Sequence, residues 1–219
     1  MKPRVLIFAK APFMGVSKTR LARGLGTTEA RRLARMSFTR TLQVAKDPRW
    51  TTLLYAAPDR VLGETLGGLW PRSLERRSQG RGDLGARLAR GYAEAPVGSP
   101  VILIGADAPD VSTGLLWAAI RALKTHEFVV GPSSDGGFWL LGLKRDRRAR
   151  HPFNQVRWSS PHTLGDVKAN FPKGARVAEL PILIDLDEAE DWQSWASNRQ
   201  RRGAGGTPVE VRSLPSVTL

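Results

Sequence analysis

Val101-Ile102-Leu103-Ile104-Gly105-Ala106-Asp107-Ala108-Pro109-Asp110 is the stretch on which the fold turns. Four consecutive apolar residues bounded by glycine read as a strand buried on both faces, as in a parallel sheet. Two carboxylates follow at once, at the carboxyl end of that strand, the edge where open α/β sheets bind ligands. Aspartates 107 and 110 placed there point to a hard-cation site, and such cations usually accompany phosphates. The same residues also serve as turn formers and helix caps, so this segment alone leaves metal binding open.

Outward from this strand, apolar runs alternate with helix-like periodicity, the mark of α/β architecture. Val5 to Ala9 reads as a first strand. From Thr28 to Lys46, Ala30, Leu33, Phe38 and Leu42 recur at helical spacing until Asp47-Pro48 ends the helix. Thr51 to Ala56 is a second strand, and Pro58-Asp59 opens a short helix. Asp83 and Ser112 each stand where an N-cap is wanted, the first ahead of Leu84, Leu88 and Tyr92. Phe128 to Val130 and Phe138 to Leu143 are two strands separated by too few residues for a helix, which points to an added antiparallel strand or a sharp turn rather than another βαβ unit. A short helix near Thr163, a last strand over Ile182 to Leu186 and a last helix over Glu188 to Ser197 complete the pattern. The pattern is that of an α/β fold. Residues 1–197 form the domain in this reading, and 198–219, rich in Arg, Gly, Pro and Ser, form a basic disordered tail.

Bulk composition narrows the chemistry. The 219 residues are 41% hydrophobic, enough for one sizeable core. No cysteine is present, which excludes disulfides, thiolate metal sites and thiol catalysis. No apolar run reaches the roughly 18 residues of a membrane span, and Val5 to Ala9 is too short for a signal peptide. A cytoplasmic protein is the expectation. The formal charge of +14 raises the question of a polyanionic partner. Much of it is scattered arginine without a nucleic-acid-binding module, so nucleic acid is not the expected partner.

Four glycine- and charge-rich segments can carry chemistry. Lys10-Ala11-Pro12-Phe13-Met14-Gly15-Val16-Ser17-Lys18-Thr19-Arg20-Leu21 follows the first strand directly. It brings Lys10, Lys18 and Arg20 around a glycine, as a phosphate-binding loop does, yet Ser17 stands where a P-loop needs glycine. Gln79-Gly80-Arg81-Gly82-Asp83 enters a helix and permits close backbone approach to a base or ribose; a plain tight turn is the competing reading. Ser133-Ser134-Asp135-Gly136-Gly137-Phe138-Trp139 is a turn beside aromatics that can pack on a sugar. Asp185-Leu186-Asp187 ends the last expected strand, with one carboxylate expected at the cleft and the other bracing or capping. His126, His151 and His162 have no zinc-site spacing, and no Gly-x-Ser-x-Gly elbow supports a hydrolase.

In this order the segments Phe8-Ala9-Lys10-Ala11-Pro12, Gly15 with Lys18-Thr19-Arg20-Leu21, Gly82-Asp83-Leu84-Gly85, Gly105-Ala106-Asp107-Ala108-Pro109-Asp110, Gly131-Pro132 with Asp135-Gly136-Gly137, and Asp185-Leu186-Asp187 resemble one known family. It is a bacterial GT-A-like glycosyltransferase family of formerly unknown function, of the arsenosugar-biosynthesis type. The family sits in the nucleotide-diphospho-sugar transferase superfamily, with 2-phospholactate and phosphoenolpyruvate guanylyltransferases as relatives. The resemblance runs from residue 4 to about residue 193.

It implies a GT-A-like, doubly wound, mostly parallel sheet with one antiparallel strand and helices on both faces, and transfer of a sugar from a nucleoside-diphosphate sugar to a small-molecule acceptor, with Mg²⁺ or Mn²⁺ bridging the diphosphate. Asp107 would be the chief metal ligand, joined by Asp187 or Asp185. Lys10, Ala11, Gly15, Lys18, Arg20, Gly82 and Asp83 would bind the nucleotide. Asp135, Gly136, Gly137 and Trp139 would face the acceptor, and Lys18, Asp107 and Asp135 would carry the catalysis. Phe138-Trp139 departs from the Thr-Asn of the guanylyltransferase relatives, alanine replaces a commoner serine at 108, and phenylalanine a commoner tyrosine at 138. Two other activities stay open: nucleotidyl transfer from a nucleoside triphosphate to a phosphorylated small molecule, and non-catalytic binding of nucleic acid or phosphate.

Overall fold

A computed structural model of the chain describes residues 1–12, 18–146, 151–202 and 212–213. Its strands are β1 (Arg4–Lys10), β2 (Thr51–Ala57), β3 (Arg76–Ser78), β4 (Pro100–Gly105), β5 (Phe128–Pro132), β6 (Phe138–Lys144), β7 (Val177–Glu179) and β8 (Arg212–Ser213). Its helices are α1 (Thr19–Leu25), α2 (Thr27–Ala45), α3 (Leu84–Glu94), α4 (Thr113–Ala122), α5 (Thr163–Ala169) and α6 (Ala189–Arg202). A single-turn 3₁₀ helix at Asp59–Val61 follows β2.

The strands form one sheet in the order β3-β2-β1-β4-β6-β5-β7-β8. β1 is parallel to β2 and β4, and β5 to β7. β6 runs antiparallel to both β4 and β5, as the short link before it requires. The two-residue β8 pairs antiparallel with β7. The doubly wound, mostly parallel α/β fold is thus present.

Alternation along each strand divides the core into two faces. Val5, Ile7, Ile102 and Ile104 pack with Phe38 and Leu42 of α2 and Leu115 and Leu116 of α4. Leu6, Phe8, Val101 and Leu103 pack with Leu88 and Tyr92 of α3 and Val167 of α5. Val5, Ile7, Val101 and Ile102 are fully buried, and each such side chain stabilises the fold by about 1.5–3 kcal/mol relative to exposure. Phe8 stacks on Tyr55 with ring centroids 4.9 Å apart. Gly91 lets α3 approach them: a Cβ there would lie 2.8 Å from the Phe8 ring.

Both expected caps form. Asp83 accepts from the amide of Ala86, and Ser112 from that of Leu115. Three expectations need correction. α1 occupies residues read as loop; its N-cap position, Lys18, has φ 56 and no side-chain cap. Ile182 to Leu186 is not a strand: only Leu183 makes an isolated bridge, to Ser133, and β7 pairs with β5 instead. Pro181 supplies no amide to a ladder. Helix α6 continues past Ser197 to Arg202.

A candidate active site at the carboxyl edge of the sheet

The chain leaves β1 toward β2 on one side and β4 on the other, and a strand-order reversal of this kind opens a crevice at the carboxyl ends. Lys10 ends β1, and Asp107 lies two residues beyond β4. Because β6 is reversed, its amino end brings Gly136 and Gly137 to this same edge.

Asp107 is fixed through its backbone. Its carbonyl accepts from the Leu186 amide and from Ser37 Oγ of α2, each at 3.1 Å. The first bond draws Asp185 to Asp187 onto the end of β4. That segment turns sharply, with the Asp187 amide donating to the Asp185 carbonyl at 3.1 Å. The expectation that only one of the two faces the cleft is corrected: both carboxylates reach the cluster. Asp191 Oδ2 accepts from the amides of Asp187 and Glu188 and starts α6.

Lys18 enters from the other side of the crevice. Its Nζ lies 2.8 Å from Asp107 Oδ1 and also donates to Asp187 Oδ1. The lysine side chain is only 10% exposed, whereas those of Asp107 and Asp187 are 48% and 47% exposed. Burial opposes the charge on Lys18, yet the two carboxylates overcome it and hold the ammonium above its usual range. Burial likewise opposes ionisation of Asp187, but Lys18, and more weakly Arg20 and Lys10, hold its carboxyl below the ordinary value. Arg20, in the first turn of α1, also lies 3.8 Å from Glu188.

Asp185 is the unbalanced member. Loss of water and then the charge of Asp107 push its carboxyl up to about 8, with Asp135 and Asp187 adding to the repulsion and Lys18 opposing it. Two carboxylates, Asp107 and Asp187, contact the Lys18 ammonium, while Asp185 and Asp135 lie close enough to repel one another.

The remaining candidates are only partly brought together. Ala11 is buried and gives its amide to the Ala57 carbonyl at 2.8 Å, so that amide is not presented to a ligand. Gly15 lies outside the described residues. Gly82 adopts φ +102, and its carbonyl accepts from Arg87 Nε at 3.0 Å. The loop is anchored by buried Gln79, whose amide donates to the carbonyls of Ala9 and Tyr55 at 3.0 Å each.

On the acceptor side, Asp135 Oδ1 accepts from Ser133 Oγ at 2.7 Å and from the Gly137 amide at 2.9 Å. Trp139 does not face an acceptor. It is 1% exposed, and its indole donates to the Pro181 carbonyl at 3.1 Å inside the α2/α4 face of the core. The alternate residue, Phe138, is half-buried on the other face and meets Trp158 edge-on at 6.4 Å. Asp110 supports the charge of Arg40 on α2.

Sequence reasoning passed over Ser37. Its signal was faint: a small polar residue inside the apolar stripe of α2, which proves 1% exposed.

Asp107, Asp185 and Asp187 offer oxygen donors only, the set that magnesium and manganese take. As the chain stands, no three acidic or histidine side chains among the described residues are arranged to hold an ion. The Lys18 ammonium instead joins two of the three. The donor chemistry fits a hard divalent cation, with Lys18 standing between the ligands.

Residues 41–160 match the model of a family described as an uncharacterized protein conserved in bacteria, DUF2064. Among solved structures the chain resembles a Desulfovibrio desulfuricans G20 protein assigned provisionally to nucleotide-diphospho-sugar transfer. The two are 24% identical, with 91% of this chain and 88% of that one covered at a TM-score of 0.79. A nucleotidyl transferase from Methanothermobacter is 13% identical, with 92% and 99% covered at a TM-score of 0.58. The Rv0371c protein of Mycobacterium tuberculosis H37Rv, in complex with manganese, is 15% identical, with 89% and 97% covered at 0.53. These likenesses show the fold. No curated protein matches the chain. Among the described residues no helix is long and apolar enough to cross a membrane.

Proposed function

The chain belongs to the bacterial family DUF2064, and from that premise we propose a metal-dependent glycosyltransferase that moves a sugar from a nucleoside-diphosphate sugar to a small-molecule acceptor. The observation that carries the reading is Lys18 held between Asp107 and Asp187 at the strand-order reversal. A phosphate-binding cation and candidate metal ligands there occupy one point.

In this reading Lys18 and Arg20, with Lys10 behind them, hold the diphosphate electrostatically while charge grows on it. Asp107, with Asp187 or Asp185, would hold Mg²⁺ or Mn²⁺, which supplies charge neutralisation for the departing diphosphate. The Gln79–Asp83 loop lies alongside the nucleoside. If the reaction inverts, Asp135 would be its general base: Ser133 and Gly137 hold one of its oxygens, and the other would take the acceptor's proton. Manganese bound to a protein of the same fold supports the choice of cation.

Nucleotidyl transfer is the second reading, supported by the Methanothermobacter likeness. Phe138-Trp139, in place of the Thr-Asn of the resembled guanylyltransferases, weakens the guanylyl form of that reading. A melting-temperature panel of nucleotide sugars and nucleoside triphosphates, each with Mn²⁺, tests the proposal. Larger stabilisation by one nucleotide sugar than by its triphosphate supports it, since a ligand stabilises by mass action. The reverse order favours nucleotidyl transfer.

A further inference from the structure

The acidic cluster and its lysine constrain what can enter the site. Lys18 Nζ contacts Asp107 Oδ1 at 2.8 Å and also bonds Asp187, filling the space between two carboxylates that a cation would need. An ammonium has three donors and no acceptor, so two of its three bonds are spent on these acids. A divalent cation arriving alone would meet both the ammonium's positive charge and carboxylates already engaged. Phosphate oxygens change this balance. They are stronger partners for an ammonium than hydration water, and lysine's flexible four-carbon stem lets the charge move without the backbone.

We propose that the site accepts a divalent cation only together with a diphosphate: the diphosphate draws the Lys18 ammonium off Asp107 and Asp187 and releases those carboxylates to the cation. The ligand is therefore the metal–diphosphate pair, whatever nucleoside it carries. Lys18 is a positioning residue that couples the two halves. This inference rests on the transferase reading of the site.

Calorimetric titration and thermal melting test it with Mn²⁺ alone, pyrophosphate alone and the two together, so that no base or sugar need be known. The wild-type chain is expected to melt substantially higher with the pair than with either component. It should bind Mn²⁺ alone at least tenfold more weakly than Lys18→Met does. Asp107→Asn should abolish the Mn²⁺ binding of the Lys18→Met protein. Wild type that binds Mn²⁺ alone as tightly as with pyrophosphate, with that binding lost in Asp107→Asn, overturns the coupling while leaving the metal site. Mn²⁺ binding that no Asp107 substitution changes overturns both. Should Lys18→Met fail to fold, the wild-type comparison of single ligands with the pair still decides, because equal responses contradict the coupling.

Discussion

The Leu186 amide donates to the Asp107 carbonyl at 3.1 Å and so fastens the last acidic segment to the end of β4. Through that bond, residues from the middle and the far end of the chain become one carboxylate cluster. The carbonyl also takes the Ser37 hydroxyl, which ties α2 to the same point.

Ser37→Ala removes one of two hydrogen bonds to that carbonyl without leaving it unpaired. The expected stability loss is about 1 kcal/mol, read from urea denaturation. Nucleotide affinity should fall several-fold, because Asp107 is then held by Leu186 alone. Unchanged affinity would show that the α2 contact does not position the cluster.

Asp185→Asn should stabilise the metal-free protein. An acid pushed from 3.8 up to about 8 weakens the fold once pH rises above its unfolded value, and increasingly so until the folded value is passed. The asparagine protein is therefore expected to melt higher than wild type at pH 8 and to match it near pH 3.5. Added Mn²⁺ should raise the wild-type melting temperature more than the variant's when pyrophosphate is present.

Gly136 has φ +84, and a Cβ there would lie 2.3 Å from the Pro161 carbonyl oxygen. Gly136→Ala must shift the turn that carries Asp135, at a cost of about 1–3 kcal/mol for the strained backbone. Donor binding should survive while transfer to the acceptor falls by at least tenfold. Equal loss of both would place Asp135 outside the acceptor side.

Acid stability reports on the sheet edge. Hydrogen bonds from Arg176 hold the Glu127 carboxyl down to about 2 against an ordinary 4.5. A depressed acid adds stability that is complete above its unfolded value and vanishes as pH falls through the folded one. Glu127→Gln should thus lose stability at pH 6 but not at pH 2. The loss should be under about 1 kcal/mol because both side chains are largely exposed.

The parts of the fold legible in the sequence were those set by neighbours in the chain. Asp83 and Ser112 cap their helices through amides three residues on, a local rule. The reversal of β6 followed from a link too short to hold a helix. Helix α1 escaped because Lys18 begins it from the left-handed region with no capping side chain. β3 and β7 escaped because three residues each, one set being Arg-Arg-Ser, carry little alternation, and their existence depends on the strands beside them. The site was legible as charged segments but not as contacts. Trp139 and Phe138 differ only in which sheet face alternation gives them, and the placing of Asp185 and Asp187 beside Asp107 depends on the Leu186 amide reaching the Asp107 carbonyl, a contact no local pattern announces.

The reaction products test the central claim most directly. The protein should be incubated with Mn²⁺ and a panel of nucleotide sugars, and in parallel with the nucleoside triphosphates, using small-molecule extract as the acceptor source. Release of a nucleoside diphosphate from one nucleotide sugar, lost in Asp107→Asn, is the result expected of a glycosyltransferase. Pyrophosphate released from a triphosphate, with every nucleotide sugar left intact, would contradict it.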